Sequence, residues 1–314
     1  MPFNILVPFG FGLLVFLLGL SRMRTGLEKL ARDRLHDILL QFTKSPLRSF
    51  FTGTVTTAFL QSSSAVTVLT IGFVNAGMLS FSQSLGIILG TNVGTTITTQ
   101  ILALNIEDLA IPLMVLGGGL YLLPHPVLKN FGSVFLGFGA IFWGIEWMQS
   151  IAFLLKEQGW ISWLLHHGGN PIVSGLLAGT AITALIHSSS ACIAMTMGFF
   201  AAGAVPLPFA IAAVFGSNIG TCITALMASI RTIPAARQAA FSHLVLNVAG
   251  VIVFTPLIPA ISAVTPYLSN DPATQIAHIQ TLFNLICSIA VLPFCDQFAR
   301  GITWLIPQKS APIR

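Results

Sequence analysis

Charged residues are scarce in this sequence. Only 7% of its 314 residues are Asp, Glu, Lys or Arg, while 54% are hydrophobic; soluble domains carry roughly 25% charged residues. Charge is missing altogether from residues 49–106 and from residues 158–230. This composition excludes a soluble domain and predicts an integral membrane protein, with residues 1–314 forming a single transmembrane domain.

Cysteine is equally rare, and the four cysteines show no spacing typical of a metal site or a disulfide framework. They lie in or beside apolar runs, which predicts small buried side chains. The net charge of +5 does not indicate a nucleic-acid partner, because seven of the fourteen Lys and Arg residues lie between Arg22 and Arg48. Basic residues directly after an apolar run are typical of a membrane anchor.

The first apolar run, residues 1–20, predicts a retained transmembrane helix rather than a cleaved signal peptide, because its positive charges follow it. Residues 22–42 place Leu27, Leu30 and Leu35 near helical spacing between charged residues, which predicts an amphipathic helix at the cytoplasmic interface. Counting crossings from an external N-terminus puts thirteen of the fourteen basic residues inside. We therefore expect a multi-pass protein with a cytoplasmic C-terminus.

An internal repeat is present. "QSSSA" begins at Gln61 and "HSSSA" at His187, and this offset of 126 aligns residues 53–101 with 179–227 without a gap and with 19 identities in 49 pairs. The clusters are followed by "GTNVGTTIT" at 90–98 and "GSNIGTCIT" at 216–224. At an offset of 125, "FLLGLSRM" (16–23) also resembles "IFWGIEWM" (141–148). The pattern predicts two repeats, 1–128 and 129–265, and then a final helix and tail over 266–314.

The charges that flank the repeats indicate their relative orientation. Arg48 precedes the first copy and two acidic residues follow it, whereas Arg231 and Arg237 follow the second copy. Lys and Arg collect on the cytoplasmic side of a membrane, so we expect the copies to point in opposite directions. Inverted repeats with interrupted apolar segments are typical of secondary transporters, whose site lies near the midplane.

The repeated hydroxyl and amide groups suit an ion site. One serine triplet could simply aid helix packing, but its duplication favours binding. The glycines beside Asn and Thr in the downstream motifs predict interrupted helices, whose free oxygens ligate a hard cation and whose free N–H groups face an anion. Neither charge-free window offers Lys or Arg, so we expect helix N-termini and bound cations to neutralise the anion. Sodium suits such oxygen-rich sites.

The doubled motif resembles the sodium/phosphate cotransporter family, which comprises the type II cotransporters of animals and their bacterial relatives. The resemblance implies an all-α integral membrane protein with two inverted-topology repeats, each with a re-entrant helical hairpin that carries the Q/H-S-S-S motif. It also implies that Na+ is the coupling ion for alternating-access transport of inorganic phosphate across the bacterial inner membrane. No organic cofactor and no enzymatic activity are expected.

Residues for both ligands follow from the resemblance and the repeat. Those predicted to bind phosphate are Gln61, Ser62, Ser63, Ser64, Asn92, His187, Ser188, Ser189, Ser190 and Asn218. Those predicted to bind Na+ are Gln61, Ser62, Thr95, Thr98, Ser188, Thr221 and Thr224. His187 stands where the family usually has Gln, so a titratable imidazole replaces a neutral amide.

Other functions stay open at this point. They are a Na+-coupled carrier of sulfate or a carboxylate, a passive anion channel and, less favoured, an intramembrane serine hydrolase. The sequence has no GxSxG motif around these serines, and His187 and the adjacent serine would not face each other on a helix. Longer bacterial relatives carry a PhoU-like domain, so we expect any such regulator to be a separate protein. A homodimer is a further expectation, and the direction of transport is not determined by the sequence.

Overall fold

The computed structural model describes residues 3–43, 45–104, 106–157 and 169–307. This part of the chain is helical and contains no strand, as predicted. The helices are α1 (Phe3–Gln41), α2 (Pro46–Leu60), α3 (Ser63–Asn75), α4 (Phe81–Leu102), α5 (Ala110–Leu122), α6 (Pro126–Glu157), α7 (Pro171–Ile186), α8 (Ser189–Ala201), α9 (Leu207–Ala228), α10 (Pro234–Phe254), α11 (Ile258–Val264), α12 (Pro272–Val291) and α13 (Cys295–Leu305).

Six segments of the described chain are long and apolar enough to cross a membrane. They are Val7–Ala31, Phe81–Leu102, Pro126–Ser150, Leu207–Ala228, Pro234–Tyr267 and Pro272–Leu305. Helices α2, α3, α7 and α8 have only 13 to 16 residues. At 1.5 Å per residue they are about 20–24 Å long, which is less than the roughly 30 Å of a hydrocarbon core. The chain is therefore a multi-pass membrane protein, and each of these four helices is too short to span the membrane alone.

Helix α1 corrects one expectation. Residues 22–42 were expected to form a separate helix at the interface, but α1 runs for 39 residues from Phe3 to Gln41. No proline lies in the sequence between its apolar and charged parts, and its only internal proline is Pro8. The charged segment therefore continues the membrane-crossing helix, on which Arg24 is half-buried while Thr25 and Glu28 are exposed.

Helix α1 packs against α6 in the antiparallel direction. Gly12 lies against Gly144 and Gly19 against Gly137, so residue numbers rise along one helix as they fall along the other. A Cβ atom built on Gly19 would lie 2.7 Å from the Gly137 carbonyl oxygen. The two backbones therefore approach closely along this seam.

Helices α2 and α4 pack in the parallel direction. A Cβ atom on Gly90 would lie 2.1 Å from the Phe50 carbonyl oxygen, and one on Gly94 would lie 2.5 Å from that of Thr54. Because residue numbers rise together along this contact, α3 has to return from the end of α2 to the start of α4. Only glycine permits so close an approach, since any side chain would meet the neighbouring backbone.

Helices α7 and α9 repeat this arrangement. A Cβ atom on Gly216 would lie 2.2 Å from the Leu176 carbonyl oxygen, and one on Gly220 would lie 2.5 Å from that of Thr180. These contacts are the counterparts of those between α2 and α4 at the offset of 126. Helix α8 returns from the end of α7 to the start of α9, as α3 does in the first half.

The predicted interruptions at 90–98 and 216–224 are wrong. Both motifs lie within unbroken helices, α4 over Phe81–Leu102 and α9 over Leu207–Ala228. Their glycines allow close helix packing instead of breaking the helix. The chain breaks about 30 residues earlier, between α2 and α3 and between α7 and α8.

The two halves interlock. Helix α3 contacts α9 and α10 of the second half, while α8 contacts α4 of the first half, α6 of its own half and α12 of the final segment. Buried aromatic side chains join the second half to that final segment, where the Phe215 and Phe283 rings stack with centroids 4.5 Å apart. Each short returning helix thus contacts at least one long helix of the other half.

Candidate functional site

Two helix breaks of the same shape form the centre of the candidate site. Gln61 and His187 both have φ 56° and ψ 29°, which is the left-handed conformation, and the next residue in each case is extended. Ser62 Oγ accepts a hydrogen bond from the Ala65 N–H at 3.2 Å, and Ser188 Oγ accepts one from the Ala191 N–H at 3.3 Å. Serine is among the best N-cap residues. Each cluster therefore ends one helix and begins the next, and we call the two breaks the first tip (61–62) and the second tip (187–188).

The serines after each tip lie in the first turns of α3 and α8. Ser63 and Ser189 are each 8% exposed, and Ser190 is 3% exposed, whereas Ser64 is half-buried. The first N–H groups of a helix have no carbonyl partner within it. Both tips therefore offer hydroxyls and helix N-termini, which is a combination that can bind an anion.

Two cavities lie beside the two serine clusters. The first cavity, of about 330 Å³, lies between α1 and the second tip and is lined by Leu17, Leu20, Ser21, Arg24, Thr25, Glu28, Ile186, His187 and Ser188. The second cavity, of about 470 Å³, is lined by Glu28, Leu60, Ser64, Ala65, Val68, Leu69 and Thr224. Glu28 lines both cavities. His187 lines the first cavity and Thr224 lines the second, and His187 Nδ1 lies 3.3 Å from Thr224 Oγ1. The walls of the two cavities therefore touch at this pair.

Arg24 is a site residue that the sequence analysis missed. Its Nε donates a hydrogen bond of 2.8 Å to the Gln61 carbonyl oxygen at the first tip, and its side chain lines the first cavity beside His187 and Ser188. The expectation that no Lys or Arg accompanies the bound anion was drawn from the charge-free windows alone. That expectation omitted Arg24, because α1, which lies outside both windows, brings this guanidinium to the first tip.

A signal for this face was present in the sequence. Ser21, Arg24, Thr25 and Glu28 follow the spacing i, i+3, i+4, i+7, which places them on one side of a helix. All four line the first cavity. The polar face of α1 could therefore have been recognised, but not its proximity to Gln61.

The two tip side chains differ in their surroundings. Gln61 is 7% exposed and its Nε2 donates to the Ala58 carbonyl oxygen, so the amide folds back onto its own helix. His187 is exposed, and its ring meets Thr224 on α9. The second tip is therefore more open than the first.

The four threonines predicted to bind sodium occupy three environments. Thr95 Oγ1 donates to the Thr91 carbonyl oxygen at 2.8 Å, and Thr221 Oγ1 donates to that of Ser217 at 2.9 Å. These oxygens keep their lone pairs for a cation. Thr98, 2% exposed, makes no hydrogen bond to another described residue. Thr224 alone of the four lines one of the two cavities.

The two predicted asparagines do not line these cavities. Asn92 Nδ2 donates to Asn247 Oδ1 at 3.0 Å, and its Oδ1 lies 3.2 Å from His243 Nε2, so its amide is held by α10. Asn218 Nδ2 donates to the Val214 carbonyl oxygen at 2.9 Å within α9. The structure thus places both amides in interhelical or intrahelical bonds and not beside the tips.

The cysteines agree with their predicted role as small core residues. Cys192, Cys222 and Cys295 are buried, and all four cysteines are free thiols. The described residues contain no group of three or more His, Cys, Asp or Glu side chains that could hold a metal ion. The oxygen atoms at the tips and threonines suit a hard cation such as Na+.

Six described segments that could cross a membrane, together with two equivalent helix breaks beside serine clusters, define a multi-pass membrane protein. Comparison with known proteins names the family. The chain belongs to the Na+/Pi-cotransporter family, whose model matches residues 15–150 and 158–286. This confirms the resemblance that the doubled motif indicated, and the family is a transporter family rather than an enzyme family.

Curated relatives agree with this assignment. The chain is 43% identical over 307 residues to the uncharacterized protein YqeW of Bacillus subtilis, covering 97% of this chain and 99% of that protein. It is 26% identical over 284 residues to YjbB of Escherichia coli K12, described as a candidate inorganic phosphate export protein, covering 90% of this chain but 52% of that protein. Rabbit sodium-dependent phosphate transport protein 2A is 37% identical over 60 residues, 19% of this chain and 9% of that protein. No solved structure matches the chain.

Proposed function

We propose that this protein transports inorganic phosphate by a sodium-coupled, alternating-access mechanism. The observation that carries the proposal is the pair of equivalent helix breaks, each followed by serines, with two cavities beside them that share Glu28. Membership of a phosphate transporter family supports phosphate as the substrate. The rabbit relative is named a sodium-dependent phosphate transport protein, which supports Na+ as the coupling ion.

The proposal includes two inverted repeats, 1–128 and 129–265. Support comes from α1 and α6, which correspond at the offset of 125 and pack in the antiparallel direction. Equivalent helices that cross a membrane in opposite directions are related by an axis in the membrane plane. The basic residues favour an external N-terminus and a cytoplasmic C-terminus. Residues 308–314 of the proposed cytoplasmic tail lie outside the described residues.

The tips supply the proposed ligands. Phosphate is assigned to the serine hydroxyls and the N–H groups that begin α3 and α8, because helix N-termini favour anions. Na+ is assigned to oxygen atoms of Gln61, Ser62 and Ser188 and of the four threonines on α4 and α9. Asn92 and Asn218 receive a supporting role, since the Asn92 amide joins α4 to α10 and the Asn218 amide bonds within α9.

Coupling follows from charge balance in this scheme. Phosphate carries negative charge into a region of low dielectric constant, where an unpaired charge is costly. Bound Na+ lowers that cost, so each ligand should raise the affinity for the other by the same factor. The direction of net flux then depends on the two gradients, and import and export are both compatible with one mechanism.

The test is flux in proteoliposomes that contain the purified protein. Labelled phosphate should accumulate when an inward Na+ gradient is imposed, should leave when the gradient is reversed, and should not respond to a K+ gradient. Flux that ignores Na+ would instead favour a passive channel. Stronger competition by sulfate or a carboxylate than by unlabelled phosphate would reassign the substrate.

A matched pair of variants locates the site. Ser189→Ala removes a buried hydroxyl at the second tip, and Ser133→Ala removes a similarly buried hydroxyl on α6. We expect Ser189→Ala to raise the phosphate concentration for half-maximal uptake by about tenfold, the effect of losing one good hydrogen bond. Equal kinetics in the two variants would remove Ser189 from the proposed site.

A further inference from the structure

The first cavity contains a positive charge that the serine clusters do not supply. Arg24 projects from the polar face of α1, is half-buried, and lines the cavity opposite the second tip. Its Nε is bonded to the Gln61 carbonyl oxygen at 2.8 Å. One guanidinium thus contacts the first tip and shares a cavity with the second.

The terminal nitrogens of this guanidinium are available. No hydrogen bond joins the Arg24 Nη atoms to another residue in the described part of the chain. The carbonyl that accepts from Nε is neutral and leaves the charge uncompensated. Glu28, one helical turn along α1, interacts electrostatically with Arg24. No hydrogen bond joins these two side chains in the described part of the chain, so the Nη atoms of Arg24 can still bind a second anionic partner.

The part of the first cavity that the second tip lines would also attract an anion. Ser188 caps α8, whose N-terminus carries partial positive charge. A guanidinium and a helix N-terminus that line one cavity repel each other weakly when it is empty. An oxyanion between them would be attracted by both, and a cavity of about 330 Å³ has room for a phosphate with some of its water.

We propose that Arg24 is a direct ligand of the transported phosphate and supplies the fixed positive charge of the site. The inference rests on the proposed function and deepens it by naming the residue. The planar guanidinium presents paired N–H donors that match two phosphate oxygens, which a lysine ammonium does not reproduce. Fixed charge also gives phosphate a measurable affinity without sodium, so sodium strengthens phosphate binding instead of being obligatory for it.

The experiment measures inorganic phosphate binding by calorimetry in choline and in sodium buffer, together with uptake in proteoliposomes. The variants are Arg24→Gln, Arg24→Lys and, as the matched control, Arg22→Gln. Arg22 lies two residues away on α1 and points elsewhere, with its guanidinium 5.9 Å from the centre of the Tyr121 ring. Thermal unfolding and size-exclusion profiles establish that each variant is folded.

Arg24→Gln should weaken phosphate binding about 10- to 100-fold in sodium, the usual effect of losing a charge-assisted hydrogen bond. It should weaken binding further in choline, so that the ratio between the two buffers rises. Arg24→Lys should fall between Arg24→Gln and wild type because it keeps the charge. Arg22→Gln should match wild type.

Several results would overturn the inference. Wild-type phosphate affinity in a folded Arg24→Gln protein would show that the charge is not used. Should Arg24→Gln fail to fold, Arg24→Lys decides: wild-type phosphate affinity in that folded variant contradicts the proposal. A wild-type protein without sodium-driven phosphate flux would instead refute the proposed function.

Discussion

The two tips have the same backbone and different side-chain environments. Both turn through φ 56° and ψ 29° and are followed by a capping serine. At the first tip, however, Gln61 is buried and its carbonyl oxygen accepts from Arg24, whereas at the second tip His187 is exposed and contacts Thr224. Local sequence therefore fixes the turn, and the neighbouring helices decide what each tip can do.

The difference continues in the helices that support the tips. Arg24 corresponds at the offset of 125 to Gln149 on α6, a neutral residue whose Cγ lies near Gly198 of α8. One half thus contributes a cation where the other contributes an amide. The two halves therefore differ at these corresponding positions, because only the first half carries a cation there.

The largest expected effect tests the close helix packing that both halves share, α2 against α4 and α7 against α9. Gly90→Ala and Gly216→Ala each place a Cβ atom within 2.2 Å of a neighbouring carbonyl oxygen. We expect both to lower the free energy of unfolding by about 3 kcal/mol or more, since the opposing backbone cannot yield. Thermal unfolding in detergent checks this, with Gly118→Ala as control because its Cβ would meet no atom within 4 Å. A clear loss of stability in only one of these two variants would show that the two helix pairs are not equivalent.

The next effect separates the tips themselves. Gln61→His forces an imidazole into a buried position and removes the amide bond to Ala58, so phosphate uptake should fall about tenfold or more. His187→Gln changes an exposed residue to the amide that the family usually has, and uptake should stay within about threefold of wild type. Both rates are measured in proteoliposomes at matched protein content. Equal losses would show that the two tips are equivalent in transport.

A smaller effect concerns the paired threonines. Thr98→Val and Thr224→Val keep the side-chain shape and remove a hydroxyl oxygen, so the sodium concentration for half-maximal uptake should rise about threefold to tenfold in each. Thr224→Val should also lower the maximal rate because His187 loses its partner. Sodium titrations of uptake at saturating phosphate measure both quantities. Unchanged sodium dependence in both variants would remove these threonines from the ion site.

The smallest effect tests the charge beside Arg24. Glu28 lies one turn from Arg24, lines both cavities and is exposed, so it competes only weakly with an incoming anion. Glu28→Gln should tighten phosphate binding about twofold, as measured by calorimetry at low ionic strength. Added salt should diminish the difference. Weaker phosphate binding in this variant would indicate that Glu28 holds the cation or the site's geometry.

Much of the architecture was predictable from local patterns. The scarcity of charge predicted the membrane helices, and the doubled serine motif predicted the transporter family. The interruptions predicted within 90–98 and 216–224 were wrong, because glycines of this kind occur in closely packed helices as well as in interrupted ones. Gly90 could be assigned to packing only when α2 was seen against α4.

By itself, the sequence determined the membrane environment, the helical fold, the repeated segments and the capping serines, since composition, periodicity and capping depend on residues near each other in the chain. Only the tertiary structure decided that Arg24 meets Gln61, 37 residues away, and that His187 meets Thr224 on another helix. Those contacts depend on how closely the helices approach at their glycines and on which side of each helix then faces its neighbour. Both depend on two helices at once, so no single segment of the sequence determines them.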